Sequence, residues 1–163
     1  MQRADHPLIV LKPGELYATE RPVLVTTVLG SCISVTMFCR TRRAGAICHA
    51  LLPSGAGRDD GNEFRYVDTS IFAMLRRFYA WGIGRGELEI KVFGGSDMLA
   101  SVEGSGHGVG RQNIEMALRV IEAERLALIA SDLGGNRGRK LFFKPHTGEV
   151  LVKRLLRKLP EYN

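Results

Sequence analysis

Val25 to Val35 reads VTTVLGSCISV: two runs of β-branched and apolar residues separated by Gly30-Ser31, with Cys32 opening the second run. Runs of this composition favour strands, and a glycine between them allows a tight turn. The second run ends at the charged stretch RTRR (Arg40 to Arg43). A third apolar run, AGAICHALL (Ala44 to Leu52), follows and stops at Pro53. This order predicts a hairpin turning at Arg40 to Arg43, which returns His49 toward the end of the strand that begins at Cys32.

Two readings of that pair follow from the residues. A thiol becomes a nucleophile near neutral pH when a base lies within hydrogen-bond reach, and His49 is such a base if its strand lies beside that of Cys32. The backbone N–H groups around Gly30, Ser31 and Cys32 could then face an incoming carbonyl oxygen. Cysteine is also among the residues most often buried, and Ile47 and Leu51 share a strand face with His49, which suits a core histidine. Pattern alone leaves both readings open. Cys39 and Cys48 lack a preceding glycine turn and a well-placed base, and both read as structural.

Outward from this hairpin the chain alternates strands and helices without a repeat. PVLVTTV (Pro22 to Val28) precedes the Gly-Ser break, and SGAGRDDGNEFRY (Ser54 to Tyr66) is a polar loop. Asp68 is placed to cap a helix through Thr69 to Trp81, with Ile71, Met74, Leu75 and Phe78 on one face and Gly82 as the stop. LEIKVF (Leu88 to Phe93) is a strand ended by Gly94-Gly95. The glycine-rich stretch Glu103 to Gly110, in which His107 reads as exposed, leads into a helix over about Arg111 to Glu124. Its expected buried stripe is Ile114, Ala117, Leu118 and Ile121, with Glu115 paired to Arg119. RLALIAS (Arg125 to Ser131), KLFFK (Lys140 to Lys144) and EVLVKRL (Glu149 to Leu155) are strands, the last two joined by PHTG. The expected class is α/β or α+β: one domain over residues 1–163, with packed mixed sheets flanked by helices.

Composition narrows the function classes. The chain has 163 residues, 45% apolar content and no apolar stretch long enough to span a bilayer. The N-terminus has only a four-residue apolar run before Lys12-Pro13, so a cytoplasmic protein is expected and not a membrane-inserted one. Three cysteines without an export signal argue against a disulfide framework, and no C-x-x-C or H-x-x-x-H pair suggests a metal. No cofactor motif is present: GSGHGVG lacks the order of either phosphate-binding glycine motif. The net charge of +6 favours encounter with acidic partners. Aromatic residues are not interleaved with the basic ones, so nucleic acid is not the expected partner. The clusters RTRR, NRGRK and VKRLLRK read as solvated turns and a tail. Asp132 with GGNRGRK reads either as a ligand-binding turn or as a sharp loop.

Several stretches together resemble the CheD family of chemoreceptor glutamine deamidases. They are LGSCISV around Cys32, GAICHALLP around His49, RYVDTSI (Arg65 to Ile71), KVFGGSDML (Lys91 to Leu99), VGRQNIEMAL (Val109 to Leu118), ASDLGGNRGRKLFF and HTGEVLVKRL. They run in the family's order from about residue 14 to residue 155. The resemblance implies an αββα-like sandwich of the cysteine-hydrolase type and a Cys-His-Thr triad. Cys32 would be the nucleophile, His49 the base and Thr26, six residues before the cysteine, the third member. Thr27 would point the opposite way by strand alternation. Gly30 and Ser31 would supply backbone support. Gly94, Gly95 and Ser96 would form a loop near the site, with Ser96 where the family is expected to have alanine. The implied substrate is the cytoplasmic helices of methyl-accepting chemotaxis receptors, and the implied partner is the CheC phosphatase. A thiol methylesterase or transglutaminase, or an interaction module regulating CheC, is the alternative reading.

Overall fold

The computed structural model describes residues 5–97 and 108–156. His107 and most of the glycine-rich stretch before the second helix lie outside them, as do Arg157 and Lys158 of the terminal basic cluster. Nine strands and two helices are present among the described residues: β1 (Leu8–Val10), β2 (Leu16–Thr19), β3 (Leu24–Leu29), β4 (Ile33–Cys39), β5 (Ala44–Cys48), α1 (Val67–Ala80), β6 (Leu88–Gly94), α2 (Val109–Ala123), β7 (Ala127–Leu133), β8 (Arg139–Phe143) and β9 (Val150–Arg154). The strands form two mixed sheets, a four-stranded one in the order β1-β3-β8-β9 and a five-stranded one in the order β2-β5-β4-β6-β7. β1 runs parallel to β3 and β6 to β7; every other pair is antiparallel.

Residue parity along the strands sorts the layers. Ile33, Val35, Met37 and Cys39 of β4 share one apolar cluster with Ala44, Ala46 and Cys48 of β5 and Ile90 and Val92 of β6. Ile71, Met74, Leu75 and Phe78 of α1 and Ala117 and Ile121 of α2 complete it. Both helices therefore cover one face of the five-stranded sheet. Its other face meets the four-stranded sheet, where Ile47 packs with Val25 and Phe143, and Phe93 with Leu29 and Leu141. Burying a large apolar side chain stabilises by roughly 1.5–3 kcal/mol, and most such residues here lie in these two interlayer spaces. The expectation of packed mixed sheets flanked by helices agrees with this α+β architecture. Among the described residues the layers run helix, sheet, sheet, without the second helical layer of an αββα sandwich.

The RTRR turn joins β4 to β5, and the apolar stripe of α1 is buried as its spacing predicts. Three local expectations change. Asp68 is not the cap of α1: Tyr66 holds that position in an extended conformation. The Asp68 carboxylate sits in the first turn and ties down the preceding loop, accepting from Gly55 N at 2.9 Å and Ser54 Oγ at 2.8 Å. α2 is rotated about its axis relative to the expected stripe. Asn113, Ala117, Val120 and Ile121 are buried and Leu118 is exposed. Glu115 pairs with Arg111 at 3.2 Å, one turn back rather than forward.

Candidate active site

The antiparallel register of β4 and β5 continues past the strand ends into mutual hydrogen bonds between Ile33 and Ala50, both at 2.9 Å. This register sets His49 opposite Ser34 and puts Cys32 diagonal to His49 on the same face. Diagonal neighbours in a regular antiparallel pair have Cα atoms about 7–8 Å apart, near enough for side chains to meet. The shared face is the one turned toward the four-stranded sheet. Cys32 is half-buried there beside Leu29, Phe93 and Leu141, and His49 is 2% exposed. The hairpin thus brings the two residues to one end of the sandwich, as their spacing predicts.

The hydroxyl that meets the His49 ring comes from the opposite sheet, and it is that of Thr27 rather than Thr26. Thr27 Oγ1 lies 2.7 Å from His49 Nδ1 and donates to the Leu11 carbonyl oxygen at 2.8 Å. Thr26 Oγ1 turns the other way and donates to the Leu141 carbonyl oxygen at 2.9 Å. The two threonines do point oppositely, as alternation requires, but the inward set on β3 is Val25, Thr27 and Leu29. The resemblance places the third member six residues before Cys32, at Thr26, whereas the register of β3 turns Thr27 toward the ring.

The threonine bond also fixes the ring. Thr27 has one hydroxyl proton, and Leu11 O accepts it, so the hydroxyl must accept from Nδ1–H. Nε2 is then the unprotonated nitrogen, on the side free to take a proton from a thiol. Burial pushes His49 down to about 4, which keeps the imidazole neutral at physiological pH. Burial also pushes the Cys32 thiol up. Both groups are therefore neutral at rest, and no hydrogen bond joins Cys32 Sγ to the imidazole. Cys48 points to the helices and burial drives it up to about 12; Cys39 is buried on the same side. Both are structural.

The loop that carries Cys32 is held by its carbonyls. Gly30 O accepts from Ser96 N at 3.0 Å, Ser31 O from Asn113 Nδ2 at 2.9 Å, and Cys32 O from Gly95 N at 2.9 Å. The amides of Gly30, Ser31 and Cys32 have no acceptor among the described residues, so these N–H groups remain able to donate to a ligand. Gly94, Gly95 and Ser96 thus lie against the thiol loop, as the resemblance implies. At Gly94 the backbone is left-handed (φ +107°), and a Cβ there would sit 2.2 Å from Cys32 O, so only glycine permits this approach.

Asn113 was not legible as a site residue in the sequence. It is fully buried, and its Nδ2 also donates to Leu51 O at 3.0 Å, so one amide clamps the thiol loop to the segment following His49. Its only signal was a polar residue beside the apolar positions of an amphipathic helix. Among the described residues no group of three or more His, Cys, Asp or Glu side chains is placed to hold a metal.

Residues 51–154 match the family model described as CheD chemotactic sensory transduction. The chain belongs to the CheD family. A similar protein in Geobacter sulfurreducens, named probable chemoreceptor glutamine deamidase CheD 2, is 56% identical over 151 residues, covering 93% of this chain and 92% of that one. A Maridesulfovibrio salexigens protein named probable chemoreceptor glutamine deamidase CheD is 40% identical over 94% of this chain and 95% of its own. A Thermococcus kodakarensis protein with the same name is 35% identical over 85% of this chain and 86% of its own. The CheD family match begins at Leu51, just after His49, and so does not span Thr27, Cys32 or His49.

Proposed function

We propose that this CheD-family chain deamidates glutamine side chains of chemoreceptors, using Cys32, His49 and Thr27 as its catalytic group. One observation carries the reading: the Thr27–His49 bond that presents an unprotonated Nε2 on the face where Cys32 lies diagonal to the ring. His49 takes the Cys32 proton as the thiol attacks the side-chain amide carbon. The amides of Gly30, Ser31 and Cys32 are the available donors for the oxyanion. His49 then returns the proton to the departing ammonia, leaving a thioester. Water, giving a proton to the same nitrogen, releases a glutamate side chain and restores the thiol. Thr27 holds the ring throughout, and as a neutral hydroxyl it stabilises the imidazolium less than a carboxylate would.

Each turnover adds a negative charge to the receptor and creates a carboxylate open to methylation, which is the contribution to chemotactic adaptation in this reading. The test is incubation with a receptor cytoplasmic fragment followed by mass spectrometry. A gain of about one dalton at glutamine is expected, the amide-to-acid change of this acyl chemistry. No gain with the native protein would refute the reading, and an undiminished gain with Cys32→Ala would remove Cys32 from it. The reading includes the CheC phosphatase as a second partner. Calorimetric titration of the two purified proteins checks this, and absence of heat at micromolar concentrations counts against it.

A further inference from the structure

Beside the thiol loop lies a concentration of positive charge that the proposed reaction leaves unused. Arg139 on β8 and Arg154 on β9 are directly opposed across the antiparallel ladder. Like charges in that arrangement repel. Both guanidinium groups share a single oxygen, Asp132 Oδ1, at 3.2 Å from Arg139 and 2.9 Å from Arg154. Arg139 is 3% exposed and among the described residues donates otherwise only to the carbonyls of Gly94 and Gly134, leaving its Nε buried without a partner there. Arg137, in the loop between β7 and β8, is exposed and makes no ion pair among the described residues. Three arginines against one carboxylate leave an excess of positive charge around a cavity of about 100 Å³. Its lining is Gly134, Gly135, Asn136, Arg137, Arg139 and Arg154.

The cavity belongs to the same end of the sandwich as Cys32. Gly134 N donates to Gly94 O at 2.9 Å, and Gly95 N donates to Cys32 O at 2.9 Å. The path from Cys32 through the end of β6 to the end of β7 is two strand spacings, roughly 10 Å. One to two turns of an α-helix rise through roughly 5–11 Å, so a helical substrate spans this separation.

We propose that this arginine pocket binds a carboxylate side chain of the protein substrate, one to two helical turns from the glutamine that Cys32 attacks. The inference rests on the proposed deamidation for its choice of substrate. It makes the site selective for glutamines with acidic neighbours on the same helix face. The buried Arg139 forms the floor, and Arg137 and Arg154 close on the incoming carboxylate.

The test uses two labelled helical peptides, each with one central glutamine. One carries glutamates four and seven residues to either side; the other carries alanines there. Fluorescence anisotropy with full-length Cys32→Ala protein is expected to show the glutamate peptide bound about tenfold more tightly, equivalent to one paired charge-assisted contact. Combining Arg137→Gln with Arg154→Gln is expected to reduce that preference to about threefold or less. Combining Arg76→Gln with Arg77→Gln on α1 lowers the net charge equally and is expected to keep it. Equal binding of both peptides, or equal loss in the two double variants, overturns the pocket. With Cys32 restored, the preference is expected in KM rather than kcat. Deamidation without preference removes the pocket and leaves the reaction; preference without deamidation removes the reaction and leaves the pocket.

Discussion

On the helix side of the five-stranded sheet, Cys39 and Cys48 lie among Val35, Met74 and Val92 with no exposure. On the other side of the same strands, Cys32 and His49 sit where the second sheet brings a hydroxyl to the imidazole. The sulfur atoms are chemically identical, and their surroundings separate them. The helix side is closed by apolar stripes from α1 and α2. The inter-sheet side is bounded at one end by loops whose backbone is held from behind. In the proposed mechanism, reactivity depends on which face of one sheet a residue occupies, and a shift of one position exchanges the faces.

The most severe way to break this contrast is Cys32→Ala, expected to lower kcat/KM for receptor deamidation by at least about a thousandfold. Cys39→Ala and Cys48→Ala should act through stability alone. Alkylation of the native protein should mark Cys32 first, with Cys39 and Cys48 reacting only on denaturation; mass mapping of the adducts reads this out. Next is His49→Gln, expected to cost about 10²–10⁴-fold as a lost general base. Because burial holds His49 near 4, the acid limb of kcat/KM should fall near that value and not near 6.5, and the raised Cys32 should make the rate climb into alkaline solution. The same depression has a sign for stability. The unfolded chain binds a proton near pH 6.5 that the folded protein refuses until about 4, so stability falls as pH drops through that window. The loss reaches about 3 kcal/mol below it. Thermal denaturation of native and His49→Gln proteins between pH 7 and 4 measures the difference.

Smaller effects sharpen the comparison. Thr27→Val should lower kcat about 10- to 100-fold with little change in KM, because the ring loses the acceptor that sets its tautomer. Asn113→Leu leaves the Ser31 and Leu51 carbonyls without their donor and should cost about 1–3 kcal/mol in a denaturant titration. Thr26→Val loses one bond to Leu141 O and should cost about 1 kcal/mol with activity within about twofold. An activity loss larger for Thr26→Val than for Thr27→Val would reverse the assignment drawn from the hydrogen bonds.

Local order carried much of the fold and the placing of Cys32 near His49. The stripe of α1, the RTRR hairpin and the diagonal placing of Cys32 and His49 are set by residues near one another along the chain, where spacing is a direct guide. β1 and β2, of three and four residues, are too short to show alternation and depend on neighbours for their pairing. Thr27 was passed over because the offset of the resembling family falls on Thr26, and its contact with the ring crosses between sheets. Asn113 escaped because a buried amide on a helix looks like a solvated one until its two carbonyl partners are located. Arg139 reads as part of a charged turn, yet its strand register carries it inside.

The groups that shape the thiol loop arrive late in the chain. Gly95 and Ser96 follow His49 by some distance, and Asn113 is 82 residues beyond the Ser31 carbonyl it holds. Thr26 and Leu141, whose bond helps seat β3, are separated by 115. A nascent chain that has emerged only through α1 already contains Cys32, His49 and Thr27, but nothing yet restrains residues 30–32. During synthesis the thiol is an ordinary cysteine on an unfinished hairpin. In the proposed mechanism it becomes a directed one only after the chain through Asn113 has left the ribosome.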